Sequence, residues 1–241
     1  MPTVTTAFGA DATSEWHTEW YVDGHIPIGM LSSRPMSSKK RVRDLAQTRH
    51  EILNAAFNEI YKSGFRASSL DTILERTELT KGALFHQFGS KLELGYAVVD
   101  EIILPMSRAR WITPLEAFDD PLKGIIHLVE RHIGGAPQAE LDLGCPLGNL
   151  IQEMSNSDAE FQRRLRRCLE VWIDGVAAHA ERGRRTGYVR RSVKPRAVGE
   201  YVVVTLEGIF AVVKGLRDKS VVPTSVSAMR TVLAAFAPAK R

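Results

Sequence analysis

The fold of this chain is decided by residues 79–94, which read LTKGALFHQFGSKLEL. Thr80 is a favourable helix N-cap residue, and the sequence predicts a short helix over residues 80–85. Gly89-Ser90 then breaks the helical pattern, and a longer helix is predicted to begin at Lys91. The stretch therefore encodes a short helix held between two turns.

Two further helices are predicted directly before this stretch. Apolar residues recur on one helix face over positions 52–60, and Gly64 is suited to end that helix in a left-handed conformation. Ser68-Ser69 offers the N-cap of a second helix, which is predicted to end near residue 76. Three helices with a short turn between the second and the third form a helix-turn-helix, here over residues 69–86.

The most specific part of the sequence is the run Thr80-Lys81-Gly82-Ala83-Leu84-Phe85, followed by Phe88 and Ser90-Lys91. Together with the rest of residues 49–94, this run resembles the DNA-binding domain of the TetR family of transcriptional regulators. The sequence departs from the family pattern at Glu78, Phe85 and Gln87, where Gly, Tyr, and His or Tyr are frequent. The resemblance implies an all-α fold, with an N-terminal three-helix helix-turn-helix domain and a larger helical ligand-binding and dimerisation domain.

The predicted DNA interface centres on the third helix, whose N-terminal end would enter the major groove. Its small residues allow a close approach, its threonine can bond to a phosphate, and its lysine can reach a phosphate or a guanine edge. Phe85 lacks the tyrosine hydroxyl of the family and is interpreted as a packing residue, with His86 as the polar contact instead. The predicted DNA contacts are Arg49, Ser69, Thr80, Lys81, Gly82, Ala83, Phe85, His86 and Lys91.

Composition and charge divide the chain into three predicted parts. Apolar residues show no sustained period over residues 1–38. This segment is interpreted as a disordered extension, as the result of a translation start wrongly assigned upstream of Met36, or as a functional tail. Residues 39–92 form the predicted DNA-binding domain, in which positions 39–91 hold ten Lys and Arg against six Asp and Glu. This positive balance suits a polyanionic partner. Residues 93–241 form the predicted ligand-binding and dimerisation domain.

The resemblance implies a homodimer in which the last two long helices of each copy pair with those of the other. These helices are predicted over residues 194–216 and 224–237. Gly199, Gly208 and Gly215 each cost a helix about 1 kcal/mol relative to Ala, which is easier to understand where helices pack closely. A twofold dimer would suit a palindromic double-stranded DNA operator.

An unidentified small-molecule effector is also implied by the resemblance. A pocket for it needs an apolar lining with a few polar anchors. Trp111, Trp172 and Phe210 are the predicted lining residues, and Asn149 and Glu153 are the predicted anchors.

Cys145 points to a different kind of signal. It lies in the segment GCPLGNL at residues 144–150, which resembles a Gly-Cys-x-x-Gly-Asn-Leu element found in a subgroup of these regulators. Near a predicted helix start, the helix dipole would lower the thiol pKa, as a sensor of electrophiles or oxidants requires. The other interpretation is that Cys145 is a small buried apolar residue.

Other classes of function find little support in the sequence. Two distant cysteines predict reduced thiols in a cytoplasmic protein, and no apolar run of about 18 residues predicts a membrane span. Zinc-ligand spacing, a P-loop and a dinucleotide fingerprint are missing, so neither an enzyme nor a bound metal or cofactor is predicted. Residues 161–196 carry a net charge of +8, interpreted as a solvated face, an anion site or an extension of the DNA footprint. A regulator without a small-molecule ligand stays an alternative, which a closed core in residues 93–241 would favour.

Overall fold

The computed structural model describes residues 45–77 and 79–239 of the chain. Within these ranges every regular element is helical, which confirms the predicted all-α fold. The predicted tail at residues 1–38, the basic residues 39–43 and the departure at Glu78 lie outside the described residues. In the described ranges, no helix is long and apolar enough to cross a membrane.

The N-terminal helices are α1 (Leu45–Ser63), α2 (Leu70–Glu75), α3 (Lys81–Gln87) and α4 (Lys91–Ala97). Gly64 has a φ of +86° and ends α1 in the left-handed conformation that the sequence predicted. Thr80 caps α3, because its hydroxyl accepts a hydrogen bond from the Ala83 amide at 3.2 Å. The predicted end of α3 at residue 85 was two residues short.

Ser69, and not Ser68, is the N-cap of α2. The hydroxyl of Ser69 accepts a hydrogen bond from the Asp71 amide at 3.2 Å. The Ser68 hydroxyl is buried and donates to the Phe65 carbonyl at 2.7 Å, within the α1–α2 loop at residues 64–69. One serine therefore starts the helix while the other closes the loop before it.

The longer helix predicted to begin at Lys91 is interrupted by a π-helical segment. α4 continues into π-helix Val98–Ile103 and then into α5 (Leu104–Trp111). Pro105 has no amide hydrogen to donate to the carbonyl four residues earlier, and its ring crowds that carbonyl. The wide turn lies directly before this proline, which gives the interruption a local physical cause.

The remaining helices form a C-terminal body together with α5. They are α6 (Pro121–Val129), α7 (Gln138–Leu141), α8 (Pro146–Met154), α9 (Ala159–Thr186), α10 (Pro195–Leu216) and α11 (Val221–Phe236), with a 3-10 helix at Thr113–Ala117 and a second π-helix at Glu130–Gly134. The sequence analysis did not predict α7 or either short segment. Gly187, with a φ of +90°, is where α9 stops.

α9 runs through the centre of the C-terminal body. One face of this helix is buried along its length, from Phe161 through Trp172 to Ala180. α10 packs against it so closely that a Cβ on Gly199 would lie 2.3 Å from the Ile173 carbonyl oxygen. The prediction that Gly199 allows close helix packing is therefore confirmed within one chain.

Candidate DNA interface and effector cavity

The N-terminal end of α3 is exposed, while its opposite face is part of the core. Leu84 is fully buried, and Phe88 beyond the helix is buried beside it. The exposed residues of this helix and its cap are Thr80, Lys81, Gly82, Phe85 and His86, with Ala83 half-buried. The small residues and the lysine thus share an accessible helix end, as direct contact with a major groove would require.

Phe85 corrects one interpretation made from the sequence. A packing role was expected because Phe lacks the phenol of the family's tyrosine, yet 42% of Phe85 is exposed. Its ring stands on the same accessible helix as Lys81, where it could contact a thymine methyl group. Phe85 is not part of the core because Leu84 and Phe88 already fill the core face of the helix.

Lys81 and Ser69 remain accessible at the surface. Lys81 Nζ lies 3.3 Å from Asp71 Oδ1, and both side chains are more than half exposed. An ion pair exposed in this way is weak and can be exchanged for a phosphate. Ser69 is half-buried at the start of α2. Both residues stay predicted DNA contacts.

Lys91 is bound to the protein itself. Its ammonium donates to the Ser68 carbonyl at 2.5 Å and to the Arg66 carbonyl at 3.2 Å, and it lies 5.0 Å from the centre of the Phe65 ring. Burial lowers the pKa of Lys91, with Glu153 acting in the opposite direction. Lys91 therefore holds the carbonyl side of the α1–α2 loop, and its contact with a phosphate stays a prediction.

Arg49 also has an internal role that the sequence did not reveal. Its guanidinium forms a fork with Glu101, with Nε–Oε2 and NH2–Oε1 distances of 3.0 and 2.6 Å. The third nitrogen donates to the Gln87 carbonyl, and the group lies 4.3 Å from the centre of the Phe88 ring. Because Glu101 is in the first π-helix, Arg49 ties α1 and the end of α3 to the long helical rod. Its predicted DNA contact stays a prediction.

Glu153 does not lie at the predicted pocket but at the α1–α2 loop. Its carboxylate accepts hydrogen bonds from the amides of Phe65 at 2.8 Å and Arg66 at 2.7 Å. It also lies beside Gly64, where an added Cβ would be 3.1 Å from Glu153 Oε2. Glu153 on α8 thus binds the amide side of the loop, opposite the lysine that holds its carbonyls.

Asn149 and Glu153 line an open groove of about 560 Å³ between α1, α8 and α10. Asn149 donates to the Leu143 carbonyl at 2.8 Å and accepts from Lys214 at 2.7 Å. Its amide is therefore already used to hold the turn before α8. The structure places these two predicted anchors together but apart from the predicted apolar lining.

The other four predicted ligand residues do surround a common space. Trp111, Cys145, Trp172 and Phe210 line a void of about 20 Å³, which we call the core void. Four polar residues of the same lining were not predicted from the sequence, namely Tyr61, Ser107, Arg110 and Glu140. A void of this size holds about one water molecule, so the core is closed in this structure.

The core void is polar on one side and aromatic on the other. Arg110 lies 3.3 Å from Glu140 and donates to the His132 carbonyl at 2.9 Å. The rings of Trp111 and Trp172 are stacked with their centres 5.8 Å apart. Tyr61 donates to the Gly144 carbonyl at 2.6 Å, and burial raises its pKa. Since Tyr61 belongs to α1, the void directly adjoins the N-terminal helices.

The expected activation of Cys145 is contradicted by its surroundings. Burial and the neighbouring Glu207 carboxyl raise the thiol pKa well above its usual value, although the amides of Gly148 and Leu147 act against this. Cys145 does precede α8, as predicted, but desolvation outweighs the helix start. Cys168 is buried on α9, and burial raises its pKa to about 11.

The basic segment at residues 161–196, which includes most of α9 and the start of α10, is mostly paired or remote from α3. Several of its arginines bind nearby carboxylates, for example Arg166 with Glu170 at 3.0 Å and Arg196 with Asp174 at 2.7 Å. The Phe161 ring contacts the α1–α2 loop through Phe65. Arg184 lies 23 residues further along α9, and this separation corresponds to roughly 35 Å of helix. The interpretation of this segment as a solvated face fits its position better than an extended footprint of the same subunit.

Comparisons with known proteins agree with the two halves of the chain. The family described as "Bacterial regulatory proteins, tetR family" matches residues 52–98, and "Tetracyclin repressor-like, C-terminal domain" matches residues 121–229. An uncharacterised HTH-type transcriptional regulator of Lactococcus lactis is 25% identical over 79% of this chain and 95% of its own length. The HTH-type transcriptional repressor DhaR of Mycobacterium sp. is 21% identical over 71% of this chain and 84% of its own.

A solved structure has the same fold. The TetR transcriptional regulator from Chloroflexus aurantiacus superposes with a TM-score of 0.68 and 19% identity, covering 79% of this chain and 96% of that one. This likeness extends over most of both chains and shows that they share a fold.

Proposed function

The chain belongs to the TetR family of transcriptional regulators, and on that premise we propose that it is a dimeric repressor that a small molecule releases from its DNA operator. The exposed end of α3 reads the major groove, with Thr80, Lys81 and Gly82 closest to the DNA. The observation that carries the release mechanism is the pair of hydrogen bonds from the α1–α2 loop to Glu153.

α8 connects the core void to the DNA-binding helices. Cys145 and Pro146 at its start line the void, and Glu153 near its end holds the α1–α2 loop. A helix of nine residues moves as one body because its backbone hydrogen bonds are internal. A ligand that displaces the start of α8 therefore also displaces the carboxylate that positions α2 and α3.

A second copy of the chain would cover an apolar stripe on the last two long helices. Val204 and Leu216 on α10 are 71% and 60% exposed, and Val232 on α11 is 37% exposed. Gly208 and Gly215 face open space, since an added Cβ would meet nothing within 4 Å. Exposed glycines beside exposed apolar side chains suit a close helix contact across a twofold axis, and such a dimer would match a palindromic operator.

A regulator without a small-molecule ligand is the second candidate, and the size of the core void favours it. About 20 Å³ admits no effector unless the body opens. Two features of the walls provide for opening. Met106 is a flexible lining residue, and π-helices, which are frequent at functional sites, lie directly before α5 and after α6. Sensing through Cys145 gains no support, since burial and the neighbouring Glu207 raise the pKa of the thiol.

Operator binding and release can be tested with the purified full chain. A footprint on DNA flanking its own gene should reveal a twofold-symmetric protected site, and a small-molecule screen should then identify compounds that abolish protection. Protection that no compound reverses would favour the second candidate. Lack of any sequence-selective protection would overturn both.

A further inference from the structure

We infer that the effector is a small, flat, uncharged molecule with a carbonyl-type oxygen, which binds in an enlarged core void between Arg110 and Trp172. This inference rests on the proposed function, because it names the chemistry of the molecule that would cause release. It is carried by three features of the void: unpaired donors, balanced charge and aromatic walls.

Two N–H groups of the lining are buried without a partner. Among the described residues, the Trp172 Nε1–H and Arg110 Nε–H groups donate to no acceptor in the protein, although each atom is shielded from solvent. Trp172 is only 1% exposed, and the Arg110 side chain is 11% exposed. A buried donor without an acceptor costs about 1–3 kcal/mol. Both residues line the core void, so a ligand that brings an acceptor into it can relieve part of this cost.

The charges around the void disfavour an anionic ligand. The positive charge of Arg110 is already matched by Glu140 at 3.3 Å. A second carboxyl, Glu207, lies against Cys145, and burial raises its pKa. A carboxylate ligand would therefore enter a site with no free cation and two acidic neighbours, and would lose its hydration without compensation. A neutral acceptor, such as a ketone, ester or amide oxygen, avoids this cost.

Aromatic rings set the shape of the expected ligand. Trp111 and Trp172 stack at 5.8 Å with an angle of 25° between their planes, and Phe210 also lines the void. Flat ligands gain contact with such walls in offset or edge-to-face arrangements. The Tyr61 and Ser107 hydroxyls already donate to backbone carbonyls, so they leave the orientation of the ligand to the two unpaired donors.

Three probes of similar shape separate these features. Acetophenone has a ring and a neutral carbonyl, benzoate replaces the methyl group with a charged oxygen, and ethylbenzene has no acceptor. Ligand-observed NMR titrations would give the three dissociation constants for the full chain. We expect acetophenone to bind the most tightly, and both other probes to bind about tenfold or more weakly.

Trp172→Phe provides the matched variant, since it keeps an aromatic ring but removes the N–H donor. It should raise the dissociation constant of acetophenone by about fivefold to tenfold and change that of ethylbenzene by less than about twofold. A purely structural effect would weaken both probes alike. Arg110→Lys, which removes Nε but keeps the positive charge beside Glu140, carries the same test if Trp172→Phe fails to fold.

The inference is overturned if benzoate binds as tightly as acetophenone, if no probe binds, or if both variants leave acetophenone unchanged. The proposed function is judged separately by operator binding and by compounds of any class that reverse it. An anionic inducer that releases DNA would leave the proposed function standing and defeat this inference.

Discussion

Replacing Glu153 with Gln should loosen the α1–α2 loop without removing the bulk of the side chain. The carboxylate accepts from the amides of Phe65 and Arg66 at 2.8 and 2.7 Å. The variant keeps one carbonyl oxygen, so it can satisfy one of these amides and turns an N–H₂ group towards the other. Hydrogen bonds to charged groups are worth about 1.5–3 kcal/mol when buried.

The lost bond is worth less here because the site is partly open to water. Arg66 is exposed and Glu153 is half-buried, so about 1 kcal/mol is a reasonable magnitude, which corresponds to roughly a fivefold change in an opening equilibrium. Amide hydrogen exchange measures this equilibrium directly when closing is fast. The amides of Phe65 and Arg66 should then exchange about fivefold faster in Glu153→Gln. Operator affinity should fall by no more than that factor, because the closed loop remains populated.

Gln152→Ala is the matched control, since Gln152 is the exposed neighbour of Glu153 on α8. It should leave exchange at both amides and operator affinity unchanged. Equal exchange rates in Glu153→Gln and the wild-type protein would refute the reasoning that this carboxylate positions the loop. A change of the same size in Gln152→Ala would point to a general loosening of α8 instead.

Three further substitutions test the DNA interface, the dimer and the thiol. Lys81→Ala should weaken operator binding and leave the mass of the dimer unchanged in sedimentation. It should also flatten the dependence of affinity on log salt by about two units, since a dimer loses two phosphate contacts; an unchanged salt slope would remove Lys81 from the interface. Val204→Glu should convert the dimer to a folded monomer, because it places a charge on a residue that is 71% exposed in the single chain; a dimer of normal stability would exclude this stripe. Cys145 should react with iodoacetamide at pH 8 far more slowly than a free thiol, since its raised pKa leaves little thiolate. Cys145→Ser should preserve release of the operator by the effector. Rapid labelling of the native protein would restore the sensor interpretation.

The sequence predicted those features of the fold that depend on local chemistry. Gly64 ends α1 because of its own left-handed backbone, and Thr80 starts α3 through an amide three residues away. Such signals are complete within a few residues. The π-helix at Val98–Ile103 was missed because an apolar period does not distinguish a wide turn from a regular one.

The roles of Arg49 and Glu153 were not predictable in the same way. Their partners, Glu101 and the Phe65 amide, are 52 and 88 positions away in the chain. A lone charged residue in a sequence carries no information about such a contact. The sequence analysis assigned Arg49 to DNA and Glu153 to a ligand, and both assignments stay predictions. The structure shows that both residues also join the two halves of the molecule.

The candidate cavity was predicted in part. Trp111, Trp172 and Phe210 are large apolar residues in a helical domain, and they do line one space. Arg110 was overlooked because an arginine in a helix is usually solvated. The folded structure reveals that its side chain is largely buried, with the guanidinium beside Glu140 on α7 and 5.6 Å from the centre of the Trp111 ring.

Footprinting of the purified full chain on DNA flanking its own gene tests the central claim most directly. We expect a protected site with twofold symmetry, which requires a higher protein concentration in Lys81→Ala and is lost on addition of an effector. Uniform protection without sequence preference, or none at conditions where the dimer is intact, would contradict it.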